Sequence, residues 1–144
     1  MPFSKLGLIK EINVALKEKG YENPTQVQER VIPLVLERHD VVALAQTGSG
    51  KSAAFVLPIL QLWHANKGEG KAKIKVLVLT PTRELTLQVA SVFRELGDSL
   101  PNRPTVVSVI GGESIGDQLY DIQQGCDVLV ATSGRFLDIL RKKQ

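Results

Sequence analysis

The chain has 144 residues, of which 43% are hydrophobic and 23% charged, and its formal net charge is +3. These values are typical of one globular domain, and no apolar run approaches the roughly 18 residues of a membrane-spanning helix. Cys126 is the single cysteine, which excludes an internal disulfide and a cysteine zinc cluster. No secretory signal is recognisable at the start of the chain, so we expect a cytoplasmic protein without a membrane partner. The mild positive charge is compatible with a nucleic-acid partner but does not require one.

Apolar residues at helical spacing predict two helices at the start of the chain. The first is expected to begin with Ser4 as N-cap and to end near Gly20. The second is expected to follow Thr25, because Thr25 and Gln28 have the spacing of a capping box, in which each side chain hydrogen-bonds the backbone of the other residue. Pro33 lies inside this second helix and weakens the prediction there.

Short, continuous apolar runs predict buried strands, with helices between them. The predicted strands are Val41 to Ala45, Ile74 to Thr80, Thr105 to Ile110 and Asp127 to Thr132. The predicted helices span Lys51 to about Asn66, Thr82 to about Leu96, Ser114 to Gln123, and Gly134 onward. Continuous apolar strands are typical of a parallel sheet covered by helices on both faces, so we predict an α/β layer fold.

The stretch AQTGSGKS, Ala45 to Ser52, joins the first predicted strand to a helix. It matches the phosphate-binding pattern G-x-x-x-x-G-K-[ST], except that Ala45 replaces the first glycine. In such loops the backbone N–H groups face the phosphates, the lysine reaches the β- and γ-phosphates, and the hydroxyl ligates Mg²⁺. Gly50, Lys51 and Ser52 fit these roles, and the following helix directs its positive end at the same anion. The alternative is a Gly/Ser-rich turn that binds nothing.

Five separated motifs resemble those of the DEAD-box RNA helicases, in the order that this family has. They are GYENPTQVQ (Gly20 to Gln28), AQTGSGKS, PTREL (Pro81 to Leu85), Gly111-Gly112 and TSGR (Thr132 to Arg135). In the family they are the Q motif, motif I, motif Ia, the GG motif and motif Ib. The resemblance implies a RecA-like P-loop domain over residues 1–144, truncated because the Asp-Glu-Ala-Asp motif and the second RecA-like domain are absent.

The resemblance implies that ATP and Mg²⁺ bind at the first two motifs. Gln28 would hydrogen-bond the adenine edge with its amide, and Phe3 would stack on the base. The phosphates would be held by Thr47, Gly48, Ser49, Gly50, Lys51 and Ser52, with Lys51 and Ser52 catalytic and Ser52 the metal ligand. Without the resemblance, Gln28 would be interpreted as an exposed helix residue and Phe3 as a core residue.

The other three motifs are implied to line the path of RNA and to contact its sugar–phosphate backbone. The residues concerned are Pro81, Thr82, Arg83, Gly111, Gly112, Thr132, Gly134 and Arg135. Such contacts read no bases, so binding is expected to be independent of sequence and sensitive to salt. Without the resemblance, Arg83 and Glu84 would fit a surface ion pair, and the two glycines an ordinary loop. Ser133 replaces the usual proline of the family, which leaves its loop freer, and Thr86 replaces a frequent alanine.

The resemblance implies that the parent protein is an ATP-dependent RNA helicase, which couples ATP binding and hydrolysis to RNA duplex unwinding. The 144 residues alone are expected to bind nucleotide with almost no hydrolysis. The second domain is absent, and its arginines are the kind of group that contributes about 10³–10⁵ to the rate of phosphoryl transfer. The alternatives are a non-catalytic module that binds nucleotide or RNA, and a P-loop ATPase of another class.

The resemblance also predicts a defect in the sheet. In RecA-like domains, strands that carry the absent motifs lie between the phosphate-loop strand and the strand leading into motif Ia. Buried backbone groups without partners are costly, and open strand edges pair with other chains. We therefore expect a rearranged sheet, a self-association that fills the gap, or a longer natural domain.

Overall fold

The computed structural model describes residues 2–44, 50–65 and 74–142. Its helices are α1 (Lys10–Glu18), α2 (Gln26–Leu36), α3 (Lys51–Ala65), α4 (Arg83–Gly97), α5 (Ile115–Gln123) and α6 (Ser133–Lys142). Its strands are β1 (Val76–Thr80), β2 (Val106–Val109) and β3 (Val128–Thr132). Two compact units are present, Met1–Lys67 with Glu95–Arg103, and Gly68–Arg94 with Pro104–Gln144. The first unit contains α1 to α3, and the second contains the strands, α5, α6 and most of α4.

The first predicted helix is shorter than expected. Phe3–Lys5 forms only a single 3₁₀ turn, and α1 begins after it without a side-chain cap, so the prediction that Ser4 caps the helix is wrong. Gly7 interrupts the chain with a φ of +97°, a conformation that glycine adopts readily. The Gln61 amide binds both sides of this break, because its Nε2 donates to the Gly7 carbonyl at 2.9 Å and its Oε1 accepts from the Ile9 N–H at 2.7 Å.

The predicted strand from Val41 to Ala45 is also wrong over the part that the structure describes. Residues 41–44 pair with none of the described strands, and Ala45 lies outside the described residues. Val42 is 91% exposed and Leu44 is 95% exposed. An apolar segment becomes a strand only when a neighbour accepts and donates its backbone hydrogen bonds. Apolar composition alone therefore overestimated strand formation here.

The second unit is built on a parallel three-stranded sheet with the order β1-β3-β2. Thr80 of β1 aligns with Thr132 of β3, and Val109 of β2 aligns with Ala131 of β3. The central strand β3 is buried on both faces, as the adjacent Val130 and Ala131 show with no exposed surface. The prediction of an α/β fold with a parallel sheet is confirmed, and the three strands end at the same edge.

Helices α5 and α6 cover one face of β2 and β3. The shared core cluster consists of Val107, Val109, Ile122, Cys126, Leu129, Ala131 and Ile139, with Ile115, Leu119 and Phe136 packed against it. The strand members of this cluster are alternate residues, which places them on one face of the sheet. Arg94 of α4 also binds the sheet, because its Nη2 donates to the Val106 carbonyl at 3.0 Å. The packed strands fix the loops that follow them.

Candidate functional site

The first candidate site lies in the first unit and is organised by the start of α2. Thr25 caps this helix, because its Oγ1 accepts from the Gln28 N–H at 3.3 Å. In return, Gln28 Oε1 accepts from the Thr25 N–H at 2.9 Å, which completes the predicted capping box. Gln28 is only 3% exposed, so its interpretation as an ordinary exposed helix residue does not hold.

The Gln28 amide also contacts the phosphate-loop motif at Gly50. Its Nε2 donates to the Gly50 carbonyl at 3.3 Å, and that carbonyl accepts the Ala54 N–H at 3.2 Å as the first hydrogen bond of α3. Gly50 has a φ of +82°, and a Cβ built on it would lie 2.5 Å from Gln28 Nε2. A side chain at this position would force the Gln28 amide to move, and the positive φ separately favours glycine. The amide keeps one free N–H and one free acceptor position, since a glutamine has two of each.

A cavity of about 540 Å³ opens beside this amide. Its lining consists of Lys19, Gly20, Tyr21, Glu22, Asn23, Thr25, Gln28 and Gly50. Apart from Gly50, these residues all belong to the GYENPTQVQ stretch or directly precede it. The cavity therefore brings the first two predicted motifs together within one unit.

Phe3 is 6% exposed and packs edge-to-face on Tyr21, with ring centroids 6.4 Å apart and an interplanar angle of 74°. Tyr21, rather than Phe3, lines the cavity. Burial raises the pKa of the Tyr21 hydroxyl, and the Glu95 carboxylate adds to this effect, so the ring is neutral at physiological pH. Sequence reasoning missed Tyr21, although it stands inside the quoted stretch as its only aromatic residue.

Lys51 and Ser52 form the first turn of α3, with Lys51 exposed and Ser52 half-buried. The unpaired N–H groups of a helix start favour an anion at this point. Thr47, Gly48 and Ser49, predicted to contact phosphate, lie outside the described residues. Across residues 2–44, 50–65 and 74–142, no group of three or more His, Cys, Asp or Glu side chains is placed to hold a metal ion.

The second candidate site lies in the second unit, at the edge where the three parallel strands end. PTREL follows β1, Gly111-Gly112 follows β2, and TSGR includes the last residue of β3 and the start of α6. Parallel alignment brings these three motifs to one side of the sheet, although they are far apart in sequence. Pro81 and Gly134 are exposed there, and Gly111 and Thr132 are half-buried.

A group of threonines shapes the PTREL turn. Thr82 Oγ1 accepts from the Leu85 N–H at 3.1 Å, which caps α4 and leaves the hydroxyl proton of Thr82 available. Thr86 is completely buried; its hydroxyl is hydrogen-bonded to Thr80 Oγ1 and donates to the Thr82 carbonyl at 2.9 Å. The hydroxyl that replaces the usual alanine at Thr86 is therefore satisfied. Sequence reasoning did not assign this role to Thr80 or Thr86.

Both predicted phosphate-binding arginines converge on the loop between β2 and α5. Arg83 lies beside Gly112, since a Cβ built on this glycine would be 3.4 Å from Arg83 Nη1. Gly112 has a φ of +85°, which favours glycine on conformational grounds as well. Arg135 Nη2 donates to the Glu113 carbonyl at 3.2 Å. The arrangement places two guanidinium groups at one loop, which suits the binding of an anionic chain.

Among the described helices, none combines the length and the apolar character required to cross a lipid bilayer.

Comparison with known proteins identifies the family. The DEAD/DEAH box helicase profile matches residues 25–144. The chain is 41% identical over 139 residues to the ATP-dependent rRNA helicase RRP3 of Saccharomyces cerevisiae, an alignment that covers 96% of this chain and 26% of that protein. The chain thus spans about a quarter of the length of this relative. It belongs to the DEAD/DEAH box helicases, and not to another class of P-loop ATPase.

Solved structures agree with this assignment. A crystal structure of a DEAD box protein from Methanococcus jannaschii has a TM-score of 0.85 and 38% identity, over 99% of this chain and 38% of that one. A structure of Mss116p bound to ssRNA and AMP-PNP has a TM-score of 0.90 and 30% identity, over 99% of this chain and 30% of that one. The predicted RecA-like class of the fold is confirmed by these neighbours.

Proposed function

We propose that this chain supplies the nucleotide-binding site and part of the RNA-binding surface of an ATP-dependent RNA helicase. The observation that carries the proposal is the buried Gln28 amide, which joins the capping box of α2 to Gly50 at the edge of a cavity. Family membership makes adenosine nucleotide the expected ligand of that cavity. The parent protein would couple ATP binding and hydrolysis to RNA duplex unwinding.

Gln28 would recognise adenine with the half of its amide that the protein leaves free. Adenine presents the N6–H donor and the N7 acceptor side by side, whereas guanine presents two acceptors at the corresponding positions. One free acceptor and one free N–H on Gln28 match adenine and not guanine. The buried Gln28 side chain makes two hydrogen bonds to the backbone, which hold its amide in one orientation. A fixed amide favours discrimination between adenine and guanine. Phe3 would stack on the base, and the Tyr21 ring on which it packs would line the cavity beside it.

The phosphates would be bound by Thr47, Gly48, Ser49, Gly50, Lys51 and Ser52. The Gly50 geometry fits this role, because its positive φ suits glycine directly before the N-terminus of α3, a place that favours an anion. Lys51 would neutralise phosphate charge, and the Ser52 hydroxyl would ligate Mg²⁺ together with phosphate oxygens. We expect almost no hydrolysis from these residues alone.

RNA would bind along Pro81, Thr82, Arg83, Gly111, Gly112, Thr132, Gly134 and Arg135. The convergence of Arg83 and Arg135 on one loop supports a contact with sugar and phosphate rather than with bases. Mss116p, the structural neighbour, is described as bound to ssRNA. We expect the affinity for single-stranded RNA to fall steeply with salt and to depend little on sequence.

Three further expectations belong to this proposal. Residues 1–144 would form an incomplete N-terminal RecA-like domain of the parent protein. The parent protein would act in the cytoplasm, a reducing compartment with which a single cysteine is compatible. The chain taken alone self-associates through exposed apolar segments. RNA and a second copy are thus the expected partners of these 144 residues.

Binding of ADP, ATP and GDP, each with Mg²⁺, to the wild type and to Gln28→Glu tests the proposal. Glutamate can still accept from the Thr25 N–H, but it cannot donate to the base or to Gly50. We expect the wild type to prefer adenine nucleotides by about tenfold or more, since a bidentate amide contact provides about 1–3 kcal/mol of discrimination. The variant should lose the preference, and Gln26→Glu, an exposed glutamine on the same helix, should keep it. Equal affinity of the wild type for ADP and GDP would exclude the role of Gln28.

A further inference from the structure

The loop between β2 and α5, residues Ile110 to Glu113, cannot be held by side chains of its central residues, because these are Gly111 and Gly112. Glycine raises the conformational freedom of a loop, so its position must be fixed from outside. Two side chains do this. Gln118 Nε2 donates to the Ile110 carbonyl at 3.0 Å, and Arg135 Nη2 donates to the Glu113 carbonyl at 3.2 Å.

The two contacts differ in kind. Gln118 is 4% exposed, and its bond to Ile110 is buried. It comes from the second turn of α5, a helix whose start is fixed by Ser114, which accepts the Asp117 N–H at 3.3 Å. The Arg135 bond is exposed. Gln118 therefore holds one end of the loop through a buried hydrogen bond, whereas Arg135 contacts the other end through an exposed one.

Both side chains retain one unpaired group. Within the described residues, Gln118 Oε1 and Arg135 Nε are buried and without a hydrogen-bond partner. Unpaired buried polar groups are rare in proteins and are costly to keep. Each side chain donates one hydrogen bond to the loop, Gln118 to the Ile110 carbonyl and Arg135 to the Glu113 carbonyl.

We propose that Gln118 is a positioning residue for RNA binding, which holds the Ile110 to Glu113 loop so that the Glu113 carbonyl orients the Arg135 guanidinium. The inference rests on the proposed RNA-binding role of Arg135. Gln118 itself contacts no RNA, because its amide is enclosed by the protein. Loss of the Gln118 bond frees the loop, and Arg135 then loses its fixed direction and part of its contribution to affinity.

Two measurements on the full chain test whether Gln118 positions Arg135 through the loop. The variant is Gln118→Met. The first is the order of the Arg135 side chain, measured from ¹⁵N relaxation of its Nε–Hε group without RNA and assigned by its absence in Arg135→Lys. The second is affinity for fluorescent oligouridine. We expect Gln118→Met to lower the order of Arg135 Nε and to weaken oligouridine binding by about 3- to 10-fold, the range of one hydrogen bond. Gln123→Met, an exposed glutamine on the same helix, should change neither value.

Combining Gln118→Met with Arg135→Ala shows whether Gln118 affects RNA affinity by positioning Arg135 or only by stabilising the fold. If Gln118 acts through Arg135, the affinity of Gln118→Met/Arg135→Ala should equal that of Arg135→Ala alone. An unchanged Arg135 Nε order in Gln118→Met, or losses that multiply in the double variant, would overturn the proposal. If the wild type does not bind oligouridine, the RNA-binding function fails, and the side-chain order alone decides whether Gln118 positions Arg135. Gln118→Asn, which keeps the amide but shortens its reach, replaces Gln118→Met if that variant does not fold, with the same expectations.

Discussion

At the scale of single residues, Gly50 and Gln28 are in close contact in the proposed nucleotide site. The Gly50 carbonyl accepts the Gln28 amide at 3.3 Å, and a Cβ on Gly50 would lie 2.5 Å from the same amide nitrogen. Glycine is thus favoured at this position for two independent reasons, its positive φ and the close approach of the Gln28 side chain. Gln28, which we propose recognises the base, therefore contacts the proposed phosphate loop at one backbone position.

A comparison of Gly50→Ala with Gly20→Ala separates the effect of the positive φ from the effect of the nearby Gln28 side chain. Gly20 has a φ of +84°, close to the +82° of Gly50, but a Cβ on Gly20 meets no atom within 4 Å. Both substitutions introduce the strain of a left-handed residue, about 1–2 kcal/mol, and only Gly50→Ala adds a clash. We expect the free energy of unfolding in urea to fall further for Gly50→Ala. Equal losses for the two variants would mean that the Gln28 contact does not constrain Gly50.

The Cys126 thiol makes the free energy of unfolding depend on pH in the alkaline range. Burial raises its pKa from 9.0 to about 11, and the Asp127 carboxylate acts in the same direction. The folded chain then holds this proton where the unfolded chain releases it, so the contribution of this thiol to the free energy of unfolding is fully present below pH 9 and is lost as pH rises towards 11. We expect the free energy of unfolding to fall more steeply with pH in the wild type than in Cys126→Ala. Parallel pH profiles in urea denaturation would contradict this.

At the scale of secondary-structure elements, helix starts were predicted correctly where the residues that determine them are close in sequence. Thr25 and Gln28 form the predicted capping box, and α4 begins at Arg83, next to its predicted start at Thr82. The break of the first helix was not predicted, because it depends on Gln61, which hydrogen-bonds Gly7 and Ile9 from another helix. Such a contact cannot be inferred from the periodicity of residues 4–20.

A substitution at Ser133 tests a local sequence rule for helix starts at the beginning of α6. It is the first helical residue, and Thr132 before it ends β3 in an extended conformation. Proline suits this position, because its fixed φ matches the helix and the residue before it is already extended. We expect Ser133→Pro to raise the free energy of unfolding by up to about 1 kcal/mol, by restricting the unfolded chain. Ser133→Ala is the control and should show no such gain. A loss in Ser133→Pro would indicate that the Ser133 N–H has a partner.

At the scale of the whole molecule, exposed apolar residues predict self-association. Val42 and Leu44 expose 91% and 95% of their surface in a segment that pairs with none of the strands in the described ranges. Exposed apolar backbone of this kind readily pairs with another chain. We expect sedimentation velocity to detect larger species as concentration rises, and Val42→Lys/Leu44→Lys to suppress them.

Val14→Lys is the matched control for this prediction, because Val14 is 45% exposed but lies within the regular helix α1. It should leave self-association unchanged, since the backbone of a helix is already hydrogen-bonded. A wild-type chain that remains monomeric at all concentrations and unfolds in a single cooperative transition would show that the 41–44 segment needs no partner.

The sequence by itself determined the α/β class, the order of the motifs and the family, because these depend on local patterns of apolar, glycine and charged residues. It also pointed to Gln28, Gly50, Arg83 and Arg135. Three of the four predicted strands form as β1, β2 and β3, and only the tertiary structure decided that the fourth, over residues 41–44, does not and which side chains hold the sites in place. Val41–Leu44 has the composition of a strand and forms none, since a strand requires a hydrogen-bonding neighbour. Likewise, Tyr21 and Gln118 gain their roles from burial against distant backbone and side chains, which no local pattern encodes.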